Sequence, residues 1–265
     1  MVETVSATFQ QGQATKVAVI GELALQYNPP EDVAVQDTEN VRIENFHVLE
    51  KVAPNPIFVT PKPTTTGEYS VNLSHPIRPL VAFKYQLHLD ETDAGTHAPI
   101  SLIPQWKIEA SQVSVILQYA LNPAAATLVQ PNLQPQITLR NVVILVGVEG
   151  TKASSCQSKP AGIFSKEKSL IYWKLNEVKL GGGTAAGSQR LLARFSTESE
   201  AQPGTVEARW EILGDDTLSL SSGLALSQSG GHDGSDPFAD EDGASKKWEI
   251  VPTTRKVVSG KYVAS

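Results

Sequence analysis

The chain has 265 residues, a single cysteine, and 22 Lys and Arg against 28 Asp and Glu. That length buries a core without staples, and the lone Cys156 excludes a disulfide-built secreted scaffold and favours a reducing cytosolic setting. A formal charge of −6 argues against a strongly basic nucleic-acid binder, and the longest apolar stretch, Val142–Val148, falls far short of the about 20 residues a membrane helix needs.

The N-terminal MVETVSATFQ has no basic start followed by an apolar run, so it does not read as a signal peptide. Period-2 alternation then recurs along the chain. Val17, Val19, Leu23 and Leu25 share one parity in KVAVIGELAL. Ala53–Ser70, punctuated by prolines, reads as a long loop or an extended edge segment. Val81, Phe83, Tyr85, Leu87 and Leu89 alternate in the next strand, and Asp90–Pro99 follows as a polar turn and candidate boundary. Val113, Val115, Leu117 and Tyr119 repeat the pattern. Ile137–Val148 begins with alternation and then turns apolar on both faces, as a centrally buried strand does. Cys156 reads as a loop thiol, with Lys152 and Lys159 on either side to lower its pKa. Ser169–Leu175 and Arg190–Phe195 are shorter strands, with Gly181–Gln189 between them read as a hairpin loop. Val206, Ala208, Trp210 and Ile212 form one more inward series. No window carries a 3.6-residue apolar stripe, so the expected fold is all-β, mostly antiparallel and sandwich-like.

Ser227–Ser245 departs from this pattern. It holds Asp233, Asp236, Asp240, Glu241 and Asp242, no Lys or Arg, and much Gly and Ser, which predicts a disordered acidic loop. Strand-like residues resume after it, so the loop is an insertion within the fold.

Residues that carry chemistry are scarce. The five histidines fall in separate segments without metal-ligand spacing, and no nucleophile elbow, phosphate loop or dinucleotide fingerprint is present. The chain is therefore expected to be no enzyme and to need no cofactor or metal. Two weaker features remain. Lys246, Lys247, Arg255, Lys256 and Lys261 cluster near the C-terminus; they read either as solvated strand faces or as a patch for anionic headgroups. Asp236-Pro237-Phe238 sets one aromatic in the acidic loop; it reads either as a short partner motif or as a Phe that folds back onto its own domain.

An ordered series of segments resembles a known family. ATFQQGQATKVAVIGELALQY is similar to the first hairpin of the µ-homology domain of the muniscins, the endocytic adaptors of the FCHo, SGIP and fungal Syp type. NLSHPIRPLVAFKYQL, PISLIPQWKIEASQVSVILQYALNP, SLIYWKLNEV, LLARF, TVEARWEI and RKVVSGKYVAS resemble its later strands in order. The resemblance implies an elongated, two-subdomain β-sandwich-like domain. Subdomain A would comprise residues 1–98 and 203–265, with the acidic loop 227–245, and subdomain B, residues 99–202, would be inserted in it. It implies a cytoplasmic, peripheral location at the plasma membrane and clathrin-coated pits, with a membrane-binding region before Met1. Implied partners are EH-domain scaffold proteins and the cytoplasmic tails of transmembrane cargo. The Asp236-Pro237-Phe238 string resembles the motif that accessory proteins present to the appendage domain of the clathrin adaptor. No nucleic acid is expected. The related medium chains hold tyrosine signals with a first-strand Asp and a Trp-x-Arg; Trp248 matches the Trp, but Ile250 takes the Arg position and the Asp has no counterpart. Trp248 is accordingly expected to pack within the terminal strand pair. A generic β-sandwich interaction module outside endocytosis is the alternative reading.

Overall fold

The computed structural model describes residues 1–29, 37–90, 94–126, 136–181, 189–214, 220–229 and 247–265. Strands dominate them. In chain order these are β1 (Val2–Gln10), β2 (Gln13–Leu25), β3 (Thr38–Glu44), β4 (Leu49–Pro54), β5 (Val59–Pro61) and β6 (Glu68–Asn72). β7 (Leu80–Leu87), β8 (Ile100–Glu109), β9 (Gln112–Leu121), β10 (Gln136–Glu149), β11 (Ala153–Lys159) and β12 (Ile163–Ser165) follow. The last six are β13 (Leu170–Gly181), β14 (Gln189–Thr197), β15 (Gln202–Leu213), β16 (Ala225–Ser229), β17 (Trp248–Ile250) and β18 (Lys256–Ala264). The single α-turn described, Pro123–Ala126, is one turn long, so the expected all-β class is what forms.

Two compact units divide the chain, each discontinuous. The smaller holds Met1, Ile20–His88 and Ser222–Thr254; the larger holds Val2–Val19, Leu89–Ser221 and Arg255–Ser265. These divisions differ from the expected 1–98, 99–202 and 203–265. The reason lies in the ladders: β1 pairs in parallel with β18, and β18 pairs antiparallel with β15. The two end strands thus belong with the middle of the chain.

In the smaller unit, the order β17-β16-β3-β6-β5 forms one sheet, and β7 pairs with β4 and with the Ile20–Leu25 part of β2. Tyr69 on β6 meets Phe83 on β7 edge to face, ring centroids 4.8 Å apart. Within Ala53–Ser70, a three-residue strand, β5, forms the edge of the sheet. The expected acidic loop begins later than 227, because Ser227–Ser229 continue β16 opposite Arg42 and Val41 of β3 and the whole of β17.

In the larger unit, β12-β13-β10-β15-β18-β1 run side by side, and β11-β14-β9-β8 make a second sheet. Their inner faces supply Phe9, Leu102, Leu117, Ile137, Leu139, Ile144, Ile171, Leu180, Leu191, Phe195 and Tyr262, all fully buried. Each such side chain contributes about 1.5–3 kcal/mol of transfer free energy. β13 pairs with β10 and β12, whereas β14 pairs with β9 and β11. β13 and β14 therefore stand in different sheets and do not pair as a hairpin; residues 182–188, where the glycine-rich loop was expected, lie outside the described residues.

Cys156 is also not a loop thiol. It lies in β11 opposite Phe195, half-buried, and burial pushes its pKa up to about 11 from 9.0, partly offset by a backbone hydrogen bond from Arg194. The flanking lysines do not overcome this desolvation. Iodoacetamide at pH 7.5 should thus modify Cys156 about a hundredfold more slowly than an unperturbed thiol, the two-unit shift setting the thiolate fraction. Mass spectrometry of the alkylation time course checks this, and labelling at the rate of free cysteine would contradict the buried setting.

Candidate functional site

β15 runs between β10 and β18, and both ladders slip at the same level. Opposite β18, Glu207 pairs with Val263 and Glu211 with Val258, so three residues of β15 face four of β18. Opposite β10, Arg140 pairs with Glu211 but Val143 with Arg209, so two residues of β10 face Trp210 alone. β18 slips against β1 as well, where Ser6 faces both Gly260 and Lys261. These are β-bulges, which re-aim side chains. The inward series of β18 changes parity across the bulge, from Val257 to Tyr262 and Ala264. That of β10 changes across Asn141, whose φ is 49°, from Ile137 and Leu139 to Val142 and Ile144.

Gly260 lets β1 and β18 approach closely at this point. A Cβ there would lie 2.4 Å from Ser6 Oγ and 2.9 Å from Thr4 Cγ2. The backbone groups released from the ladders find side chains. The Trp210 N–H donates to Ser259 Oγ at 3.0 Å, and the Lys261 N–H to Ser6 Oγ at 3.2 Å.

The slipped strands leave an open groove of about 700 Å³ on the outer face of the sheet, within the range of ligand-sized sites. Val258, Val263, Gly260 and Thr205 line it together with Asn141, Glu207, Arg209, Glu211 and Lys261. Its charges are unequally committed. Lys256 forms an ion pair with Glu211, which also accepts a hydrogen bond from Asn141 Nδ2. Lys256 holds the Glu211 carboxyl below the usual range, Asn141 adding to this and burial opposing it. Arg209 Nε donates to Glu207 Oε1 at 2.8 Å. Lys261 makes no ion pair among the described residues. The groove thus offers apolar floor, polar walls and one cation without an ion pair among the described residues, a combination that suits a peptide segment.

The five basic residues that read as solvated faces or as a patch fall in different parts of the chain. Lys261 lines the groove and Lys256 pairs with its Glu211, while Arg255 shares their unit next to the start of β18. Lys247 belongs to the smaller unit, 3.8 Å from Glu249. Lys246, and with it Asp236, Pro237 and Phe238, lies outside the described residues. Trp248 does not pack within the terminal strand pair. It stands in β17, a three-residue edge strand paired with β16, with the Arg42 guanidinium 4.6 Å above its ring. Ile250 next to it is 62% exposed and offers no charge where the medium chains place an arginine.

A family model for the muniscin C-terminal mu homology domain matches residues 1–265. The chain belongs to the muniscin mu homology domains. Among curated relatives, the Saccharomyces cerevisiae protein named suppressor of yeast profilin deletion is 31% identical over 98% of this chain. F-BAR domain only protein 2 of Mus musculus is 25% identical over 83% of it. The chain spans 29% of the length of each of these relatives. Among solved structures, the Danio rerio Fcho1 mu homology domain with bound Eps15 peptide superposes with a TM-score of 0.67 at 18% identity, covering 99% of this chain and 94% of that one. The yeast delta-COP-I mu-homology domain gives 0.59 at 12% identity, covering 100% and 95%. This muniscin domain thus shares its fold with both of these mu homology domains at low sequence identity.

Proposed function

We propose that this chain is a non-enzymatic endocytic adaptor domain. It works in the cytoplasm at the plasma membrane and forming clathrin-coated pits, and its partners are scaffold proteins and the tails of membrane cargo. Family membership supports the adaptor role. The observation that supports a binding site on this chain is the groove over β15, where slips in three ladders coincide. We place there a short scaffold segment, extended across Val258 and Val263, with an acidic group on Lys261. The Fcho1 domain of like fold carries an Eps15 peptide, and a peptide of that kind is the probe.

Lys261→Glu should weaken that peptide at least tenfold in isothermal titration while the melting temperature holds, because Lys261 is exposed and pairs with no carboxylate among the described residues. Thr205→Arg, which fills the groove from an exposed position, should do the same. Unchanged affinity in both variants would move the scaffold site off this groove.

A further inference from the structure

The four-stranded sheet of the larger unit turns its other face to solvent, and that face has a charge opposite to the chain as a whole. Registers place its outward residues in rows. Lys159, Leu192, Ile116 and Gln105 lie side by side across β11, β14, β9 and β8. The next row holds Gln157, Arg194, Ser114 and Lys107, and on the other side Arg190 lies beside Gln118. Four cations, Lys107, Lys159, Arg190 and Arg194, meet one carboxylate, Glu109, on this face. Lys107 takes that carboxylate at 2.9 Å. Lys159, Arg190 and Arg194 form no ion pair among the described residues.

At the centre lies an apolar groove of about 380 Å³, bounded by Ile116, Leu192, Ser114, Gln157, Lys159 and Arg194. Ile116 is 37% exposed and Leu192 40% exposed. Apolar side chains on the open face of an antiparallel sheet are expected to be polar instead, so this pair calls for an occupant. The apolar patch is two side chains wide and is bordered by Lys159 and Arg194. A single bulky side chain flanked by carboxylates matches that size and that charge.

We propose that this face docks an acidic peptide segment carrying one bulky apolar residue, which enters between Ile116 and Leu192 while its acidic flanks meet Lys159, Arg190 and Arg194. The site is separate from the β15 groove and takes a second partner segment.

The test is fluorescence anisotropy of the intact chain with a fluorescein-labelled Asp-Glu-Asp-Phe-Glu-Asp peptide. Saturable binding is expected, weakened about tenfold between 50 and 300 mM salt as screening predicts. Arg194→Glu and Leu192→Asp should each weaken it at least tenfold, with Arg194→Lys close to the parent and melting temperatures unchanged. Absence of binding would overturn the proposal, as would binding indifferent to Arg194→Glu and Leu192→Asp. So would recruitment, dependent on Arg194, to vesicles containing phosphatidylserine without peptide binding. The scaffold peptide is titrated in parallel against Lys261→Glu, so failure here and failure at the groove are read separately.

Discussion

Tyr262→Ala should destabilise the larger unit by about 4 kcal/mol, as expected for removal of a large, fully buried aromatic. At about 2–4 °C per kcal/mol for a domain of this size, the melting temperature should fall by roughly 10 °C. Three interactions converge on this side chain. Its ring packs against Phe9 at 5.3 Å and edge-on against Trp210 at 5.4 Å. Its hydroxyl donates to the carbonyl of Ile100 and accepts from the Ile100 N–H at 3.0 Å. Burial pushes the phenol far above its ordinary pKa, so it stays a neutral donor throughout the accessible pH range. Tyr262→Phe isolates the hydroxyl: it keeps the ring and strands both backbone groups of Ile100, at a cost of about 1–3 kcal/mol. Thermal unfolding followed by near-UV circular dichroism measures both variants. A Phe variant as stable as the parent would show that the hydroxyl does not tie β18 to the start of β8.

Gly204→Ala should cost about 2–3 kcal/mol, for a different reason. Its Cβ would lie 2.6 Å from the Gly147 carbonyl oxygen, 2.8 Å from the Gly147 carbonyl carbon and 3.0 Å from the Val148 nitrogen. All three are backbone atoms of β10, so no side chain can swing away, and β15 must part from β10 where Val148 pairs with Pro203. Gly214→Ala is the control. Gly214 has a φ of 73° but nothing within 4 Å of its Cβ position, so it should lose only the about 1 kcal/mol of left-handed strain. Denaturant midpoints would decide the matter, and equal losses at the two sites would contradict the tight approach of β15 to β10.

The strands were legible because most bury one face. Val113, Val115, Leu117 and Tyr119, or Val206, Ala208, Trp210 and Ile212, alternate without interruption, and all eight are buried. Alternation failed where bulges intervene. The doubled apolar run after Asn141 reads as a strand buried on both faces, yet Val143 and Leu145 are only half-buried; the run reflects a change of parity. The candidate groove was hidden for the same reason, since a parity change looks like noise in a linear pattern. Its one sequence signal was Gly260 inside a strand-like run, which marks a bulge or a close backbone approach. The unit divisions were illegible because a parallel pairing between β1 and β18 joins residues more than 250 positions apart, and no local pattern records it. Sequence proximity does not record unit membership either: Lys247 and Lys256 are nine positions apart but belong to different units.

The central claim is that scaffold peptides dock over β15. Titrating isotope-labelled protein with the Eps15-type peptide and following backbone amide shifts tests it most directly. The account predicts saturable shifts at Asn141, Thr205, Arg209, Val258, Gly260, Lys261 and Val263, lost in Lys261→Glu. Shifts centred instead on Trp248, Glu249 and Ile250 of the β17 edge, with the groove residues unmoved, would contradict it.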